Sequence, residues 1–530
     1  MLSHARFAAL LILLCSFASA HGQPCEPQWI AGDGLPGTNG IVLAASLWDP
    51  DGAGPTTAKI VIGGNFTSVG GIAASNIAMR DTVTGQWSGV GSGTNSTVLS
   101  LAVLPTGELV AGGAFTTAGG ISALKIARWN GMTWSPFGAG MSHSVRALMV
   151  TPSGQLIAGG DFITAGGVSA QHVARWTGSS WQAMGLGFNG TVHTFTSLPG
   201  GDIVAGGAFS FSGSTRVSSV ARWNGSSWLL MGNGLGGIVY DLQMLPDGVL
   251  VAGGDFARAG PLVLLFIAQW NGAAWSAIGS GMDSIVFSLA TTSSGELIAG
   301  GGFTIADGAS VSHIARRSNG AWVPLGAGVN HNVHGLVLLP DGDLFAAGQF
   351  HLAGGNAAHT VATYSFGTPL PFIVQQPAAT SVCPKGQAVF NVEVSGVGPL
   401  TYQWQLQSAP DIWRTLTKDP IAIACSGDGV AFAMQSESSE VSIRIHGCAG
   451  VQNWPIRCIV TNDCGSVTSE SAMLTVCPAD FNCDTNINSA DFFDFMTAFF
   501  NTDTAADFNA DDSINSQDFF DFLAAFFIDC

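Results

Sequence analysis

The chain has 530 residues, 71 of them glycine and only 3 tyrosine, and its side chains are 47% apolar and 10% charged. So little charge excludes a disordered chain, a net charge of −18 excludes a nucleic-acid binder, which needs a basic surface, and no stretch beyond the N-terminus reaches the ~20 apolar residues of a membrane span. At roughly 100–200 residues per domain, the length predicts about three domains.

Residues 1–20 read as a secretory signal. His4 and Arg6 precede an apolar core, Phe7–Phe17, and Ala18-Ser19-Ala20 has the small-x-small form of a cleavage site. Export permits disulfides. Nine cysteines follow residue 20, eight of them at or beyond Cys383, so one is left over from any complete pairing.

Residues 21–367 are built from a repeat. Gly-Gly-x-Phe recurs with its phenylalanine at Phe66, Phe115, Phe162, Phe209, Phe256, Phe303 and Phe350, spaced by 49 and then by 47 residues. In the last copy Ala347 replaces the first glycine. Each copy holds four short β-branched and aromatic runs bounded by turn residues; in the third they are Val145–Val150, Gln155–Gly159, His172–Trp176 and Trp181–Met184. Four antiparallel strands every ~47 residues describe the blade of a β-propeller, here seven-bladed. The last copy lacks its fourth-strand tryptophan, and Trp29 at the start supplies one, so an N-terminal strand is expected to close the ring and cover its open edge.

This repeat resembles the Ala-Gly-Gly-x-Phe-Thr propellers of large exported bacterial proteins and of the fungal cortical cell-polarity marker family, and more distantly kelch. The resemblance implies architecture and no particular chemistry, since one fold hosts many functions. Loops carrying Asn95, His143, Asn189, Asp283, Asn330 and His331 offer either a polar funnel for a carbohydrate or peptide ligand or simple turn caps, and capping is the preferred reading. His143, His193 and His334 stand at related positions and invite a metal reading. A propeller followed by an immunoglobulin-like domain is similar to galactose oxidase, but that family needs a cysteine-crosslinked tyrosine, and no cysteine lies between Cys25 and Cys383. Asp161 and Asp255 occupy a variable position of the repeat and read as tolerated rather than catalytic.

Residues 368–476 change character: glycine falls and cysteines appear. The stretch from Gly386 to Gly396, then Tyr402-Gln403-Trp404, then Cys458 to Asn462 resembles an I-set immunoglobulin-like domain, which implies a core Trp404 and a sixth-strand Cys458. Its second-strand cysteine position holds Val392, so the usual inter-sheet disulfide cannot form. Cys383–Cys464 and Cys425–Cys448 are candidate pairings, connectivity being open from sequence alone.

Residues 477–530 contain eleven aspartates and no lysine, arginine or glutamate. Two near-copies lie 27 residues apart, Asp480, Asn482, Asp484, Asn486, Asn488 and Asp491, then Asp507, Asn509, Asp511, Ser513, Asn515 and Asp518. Oxygen ligands at loop positions 1, 3, 5, 9 and 12, with a backbone carbonyl at 7, suit calcium. Two such loops, each followed by a Phe-rich helix, resemble a type I dockerin. At position 6, Asp512 tolerates positive φ better than the β-branched Thr485, which predicts tighter binding in the second loop. The helices carry ten phenylalanines, more than two short helices can bury, and the resemblance implies a cohesin-like or cell-surface partner on that surface. Cys477, Cys483 and Cys530 are expected to clasp the module. The chain thus reads as a secreted, mainly β binding or scaffold protein: seven-bladed propeller, immunoglobulin-like sandwich, then a small α-helical calcium module. The alternative is a polysaccharide-active enzyme carried by a dockerin.

Overall fold

The computed structural model describes residues 25–30, 37–367 without 53 and 55, 370–383, 387–477 with gaps at 397, 410, 417–420, 425–429, 436–438 and 447–451, and 479–527 without 485, 510 and 512. The signal-like segment and residues 31–36 therefore lie outside the described residues, as do Thr485, Asp512, Cys425, Cys448 and Cys530. The chain is mainly β and divides into two compact units, Glu26–Phe366 and Gly367–Cys530, with Cys25 grouped in the second.

In the first unit, the described residues form seven four-stranded antiparallel sheets with propeller-like order. The third sheet is Val145–Val150, Leu156–Gly160, Val173–Trp176 and Trp181–Ala183. The seventh takes its fourth strand from the other end of the unit, where Gln28–Ile30 pairs with Val361–Ser365. The indole N–H of Trp29 donates to the Leu325 carbonyl (2.8 Å), as Trp134, Trp181, Trp228 and Trp275 donate to Val90, Phe137, Met184 and Met231. The first strands of the sheets, from Ile41–Trp48 round to Val333–Leu338, pack against one another in chain order, and the last returns to the first. A small hairpin interrupts each sheet between its second and third strands, as at Thr164–Ala165 and Val168–Ser169. Its Gly166 and Gly167 both have positive φ (58° and 86°), the requirement of a type I′ turn.

The Gly-Gly-x-Phe motif is explained by contacts. A Cβ on the first glycine would strike the valine of the next sheet's first strand, 2.6 Å from Val145 Cγ1 at Gly112 and 2.6 Å from Val192 Cγ1 at Gly159. One on the second glycine would collide with a carbonyl of its own sheet's first strand, Thr97 for Gly113 and Ser144 for Gly160. That first strand carries a β-bulge just after the valine in every sheet. The phenylalanine is buried in all seven copies. Its carbonyl accepts from a residue held at φ between 64° and 78° (Asn76, Lys125, His172, Ser219, Phe266, His313 and Thr360). The carbonyl of that same residue accepts from the second glycine.

In the second unit, Thr380–Val382, Ala472–Val476, Gln452–Asn462, Thr401–Ala409 and Ile412–Thr415 form one sheet, and Gln387–Asn391, Glu440–His446, Val430–Gln435 and Ile421–Ala424 another. Both contribute to one core that includes Ala388, Phe390, Val392, Trp404 and Cys458. Trp404 stands opposite Cys458, a buried free thiol that burial pushes up to about 12. The candidate Cys383–Cys464 bond is corrected: Cys383 bonds Cys483, and Cys464 bonds Cys25. The reason is strand direction. Thr380–Val382 runs parallel to Leu474–Val476 and Cys477 N donates to Val382 O (2.8 Å), so Cys383 leaves beside the first acidic loop. Cys483 thus does not join the expected clasp with Cys477 and Cys530, and Cys477 is itself disulfide-bonded.

Gly159→Ala, overpacking Val192 and Phe195, is expected to destabilise the first unit by about 1–3 kcal/mol. Gly200→Ala, where an added Cβ meets nothing within 4 Å, should stay within about 0.5 kcal/mol. Urea unfolding midpoints of the two variants check the contrast.

Candidate metal loops and the inner wall of the repeat sheets

The two acidic loops share the same framework of bonds. Asp491 is fully buried at the third position of the helix Ser489–Phe500 and accepts from Asn482 N and Asn488 N. Asp518 does the same for Asn509 N and Asn515 N at the start of Ser516–Phe526. Asp484 N donates to both Asp480 Oδ1 and Asn482 Oδ1, and Asp511 N to Asp507 Oδ1 and Asn509 Oδ1. These bonds turn the side-chain oxygens of positions 1, 3 and 12 toward one loop centre.

Carboxylate oxygens of Asp480, Asp484 and Asp491 lie within 4.8 Å of one another, as do those of Asp507, Asp511 and Asp518. Two like charges at that separation repel by about 1 kcal/mol in water and about 3.5 kcal/mol at an effective dielectric of 20. The tail has no basic side chain to offset this, and a hard oxygen-only donor set fits calcium. Asn482 and Asn509 share the Asp484 and Asp511 amides with the position 1 carboxylates. Asn486 and Ser513 have exposed side chains, and their backbone carbonyls accept from the amides of Asn488 and Asn515. Asn488 and Asn515 are the helix N-caps, their Oδ1 atoms accepting from Ala490 N and Gln517 N. Sequence spacing brought out the carboxylates that cluster here but not this capping duty of position 9.

Between the helices Phe495 and Phe522 stack in parallel at 4.1 Å and are buried. Phe493, Phe500, Phe520 and Phe527 remain 60–80% exposed.

In the first unit, most funnel residues are turn caps. Asn95 Oδ1 accepts from Thr116 N and Thr117 N, and Asn189, Asp283 and Asn330 serve their own hairpins in the same way. In the third copy Ser142 has this duty, which leaves His143 exposed beside it.

The sequence reading singled out His193 and His334 but missed the bulge that relates them to five other residues. One per sheet, the bulged residues are Leu43, Leu99, Arg146, His193, Tyr240, Phe287 and His334. His143 is therefore not the counterpart of His193 and His334; Arg146 is. All seven are half-buried, on the strands that meet around the inner wall. Four make a continuous arc of ring contacts, His193–Tyr240 at 5.2 Å, Tyr240–Phe287 at 5.3 Å and Phe287–His334 at 4.6 Å. At the seam of the first and seventh sheets a cavity of about 470 Å³ is lined by Asn39, His331, Gln349, His351, His359 and Thr360, among others.

Residues 53–199 match the family model described as the Rax2 C-terminal beta propeller domain. No curated protein matches the chain. Among solved structures, it is similar to a chimeric titin Z1Z2 carrying a KLER peptide from decorin, with 16% identity over 21% of this chain and 95% of that one, at a TM-score of 0.15. It is also similar to the extracellular domain of a protein described as a hybrid two component system, BT4673 from B. thetaiotaomicron, with 10% identity over 83% of this chain and 74% of that one, at a TM-score of 0.17. TM-scores this low carry no argument about fold.

The Rax2-like segment holds three coupled charged and titratable groups. Arg146 Nε donates to Asp161 Oδ2 (2.8 Å), and Thr191 Oγ1 donates to Asp161 Oδ1 (2.8 Å). Asp161, read from sequence as a tolerated acid, is thus engaged twice. Burial, reinforced by the Arg146 charge, lowers His193 to about 4. The folded protein therefore resists a proton that the unfolded chain accepts below about pH 6.5. Stability is unaffected by this group at pH 7 and falls as pH drops from about 6.5 to about 4, by up to about 3 kcal/mol. His193→Phe should flatten that part of the slope, read from urea midpoints at pH 7 and pH 4.5.

Proposed function

We propose that this chain is an exported, non-enzymatic binding protein. Its seven repeat sheets are the blades of one propeller, closed by the N-terminal strand, and serve as the recognition head for a carbohydrate or peptide ligand. The two-sheet module is an immunoglobulin-like spacer. The C-terminal module is dockerin-like and, organised by calcium, anchors the chain to a cohesin-like or cell-surface protein.

The observation that carries this reading is the duplicated loop: two carboxylate triads with matching bond patterns, each closed by a buried aspartate, in a segment without a basic residue. A cation at each centre would turn mutual repulsion into cohesion. Asp480, Asn482, Asp484 and Asp491 would hold one ion, and Asp507, Asn509, Asp511 and Asp518 the other, with the carbonyls of Asn486 and Ser513 completing the shells and Asn488 and Asn515 acting through water. The exposed Phe493, Phe500, Phe520 and Phe527 supply an apolar docking face. Two disulfides and the signal-like start support an extracellular setting.

Calcium titrated into the chelated full-length chain should bind at two sites, with the Asp507–Asp518 loop the tighter. Asp511→Asn is expected to weaken that site about tenfold or more and leave the first loop unchanged. Heat uptake from fewer than two sites, or a tighter first loop, contradicts the assignment. Phe493→Ser with Phe520→Ser should leave both ion sites intact and remove capture by a cohesin-bearing surface.

A further inference from the structure

The seven bulged positions are equivalent in backbone and unequal in side chain. Leu43 and Leu99 show that an aliphatic residue satisfies the fold there. The four consecutive sheets that follow Arg146 instead present imidazole, phenol, phenyl and imidazole, each touching the next. Bulges commonly re-aim side chains beside functional sites, and here they direct half-buried rings onto the wall where all seven first strands meet.

The arc does not end blindly. Gln349, at the variable position of the last motif, sits beside the His334 side chain, whose Nε2 is buried without a hydrogen-bond partner, and also lines the seam cavity. That cavity, about 470 Å³, falls in the range of about 300–1,000 Å³ typical of ligand sites. Its other walls are amide, hydroxyl and imidazole groups: Asn39, Thr360, His331, His351 and His359.

The charge state narrows the ligand. Burial lowers both His193 and His334, so the arc is uncharged at neutral pH. Arg146 is already held by Asp161. Among the described residues, no three acidic, histidine or cysteine ligand atoms converge here as they do in the acidic loops. What remains is a neutral wall of ring faces with hydrogen-bonding edges, leading into a polar cavity. A pyranose matches both, since its C–H face stacks on aromatic rings and its hydroxyls pair with amides and imidazoles. No lysine or arginine lines the cavity to hold a phosphate or an acidic polymer, and a metal would lack its ligand set.

We propose that the His193–Tyr240–Phe287–His334 arc and the seam cavity beside Gln349 form one binding site for a neutral glycan chain. This deepens the reading of the repeat sheets as a recognition head and rests on it.

The test is an array of neutral and acidic glycans and aromatic-rich peptides, probed with the full-length protein in calcium and in EGTA. Neutral glycans are expected to be captured equally in both buffers, because the site is independent of the acidic loops. Phe287→Ala should weaken capture about tenfold, and Leu99→Ala, at the equivalent position outside the arc, should not change it. Should Phe287→Ala fail to fold, Gln349→Leu reads the cavity end and is expected to weaken the same glycans. Capture of no glycan, of acidic glycans or peptides only, or of neutral glycans equally by Phe287→Ala and Gln349→Leu overturns the proposal. Capture lost only in EGTA overturns it as well. Glycan capture without calcium binding would leave this site standing and remove the proposed anchor.

Discussion

The first unit depends on one steric constraint: backbone without a side chain at two consecutive positions in six of the seven repeats. The first glycine lets the neighbouring valine close against its sheet, and the second lets the carbonyl of the residue before its own sheet's first-strand valine approach. Alanine at either would hold apart surfaces that the core packs to crystal-like density. The penalty of this arrangement is backbone strain in the residue at φ near 65°, which in two copies is the bulky Phe266 or the β-branched Thr360. Two backbone hydrogen bonds to the same motif hold it there. The motif therefore spaces neighbouring sheets, shapes the bulge and anchors the third strand.

The seam is the informative exception. At the seventh motif the first glycine is Ala347, and the valine it faces is Val42 of the first sheet, in the same buried cluster. Closure here joins distant parts of the chain, so its contacts differ from the six sequential ones. Thr38 and Thr360 share a hydroxyl hydrogen bond (2.7 Å), and Trp29 takes the fourth-strand position opposite Tyr364.

Much of this was legible in the residues. The period of 47 fixes one supersecondary unit per copy, because Gly, Val, Phe and Trp recur where the backbone and the core demand them. The third copy's strands fall within a residue of their expected limits. Disulfide pairing was not legible, since it depends on which strands run parallel and where they end. The Cys383–Cys483 bond follows from the parallel pairing of Thr380–Val382 with Leu474–Val476, a tertiary fact. In the acidic loops the donor spacing was plain. The second duty of Asp491 and Asp518 was not: Asp491 accepts from two loop amides and Asp518 from three, one of them in each case at the helix cap, and so each holds its loop closed.

The inner wall shows why a site can hide within a regular repeat. Motif matching rewards what recurs, and the bulged position does not recur in chemistry: Leu, Leu, Arg, His, Tyr, Phe, His. Read by residue type, His143 was grouped with His193 and His334. Read by register against the valine that precedes each bulge, the third copy's residue is Arg146, and His143 lies three residues away beside a turn cap. The valine is the marker to use, because it is held by the neighbouring glycine and cannot slide. Once register is taken from that contact, the positions that vary around a constant backbone separate from the positions that maintain it. In a closed array of equivalent sheets, such positions are where chemistry can change at the least cost to stability.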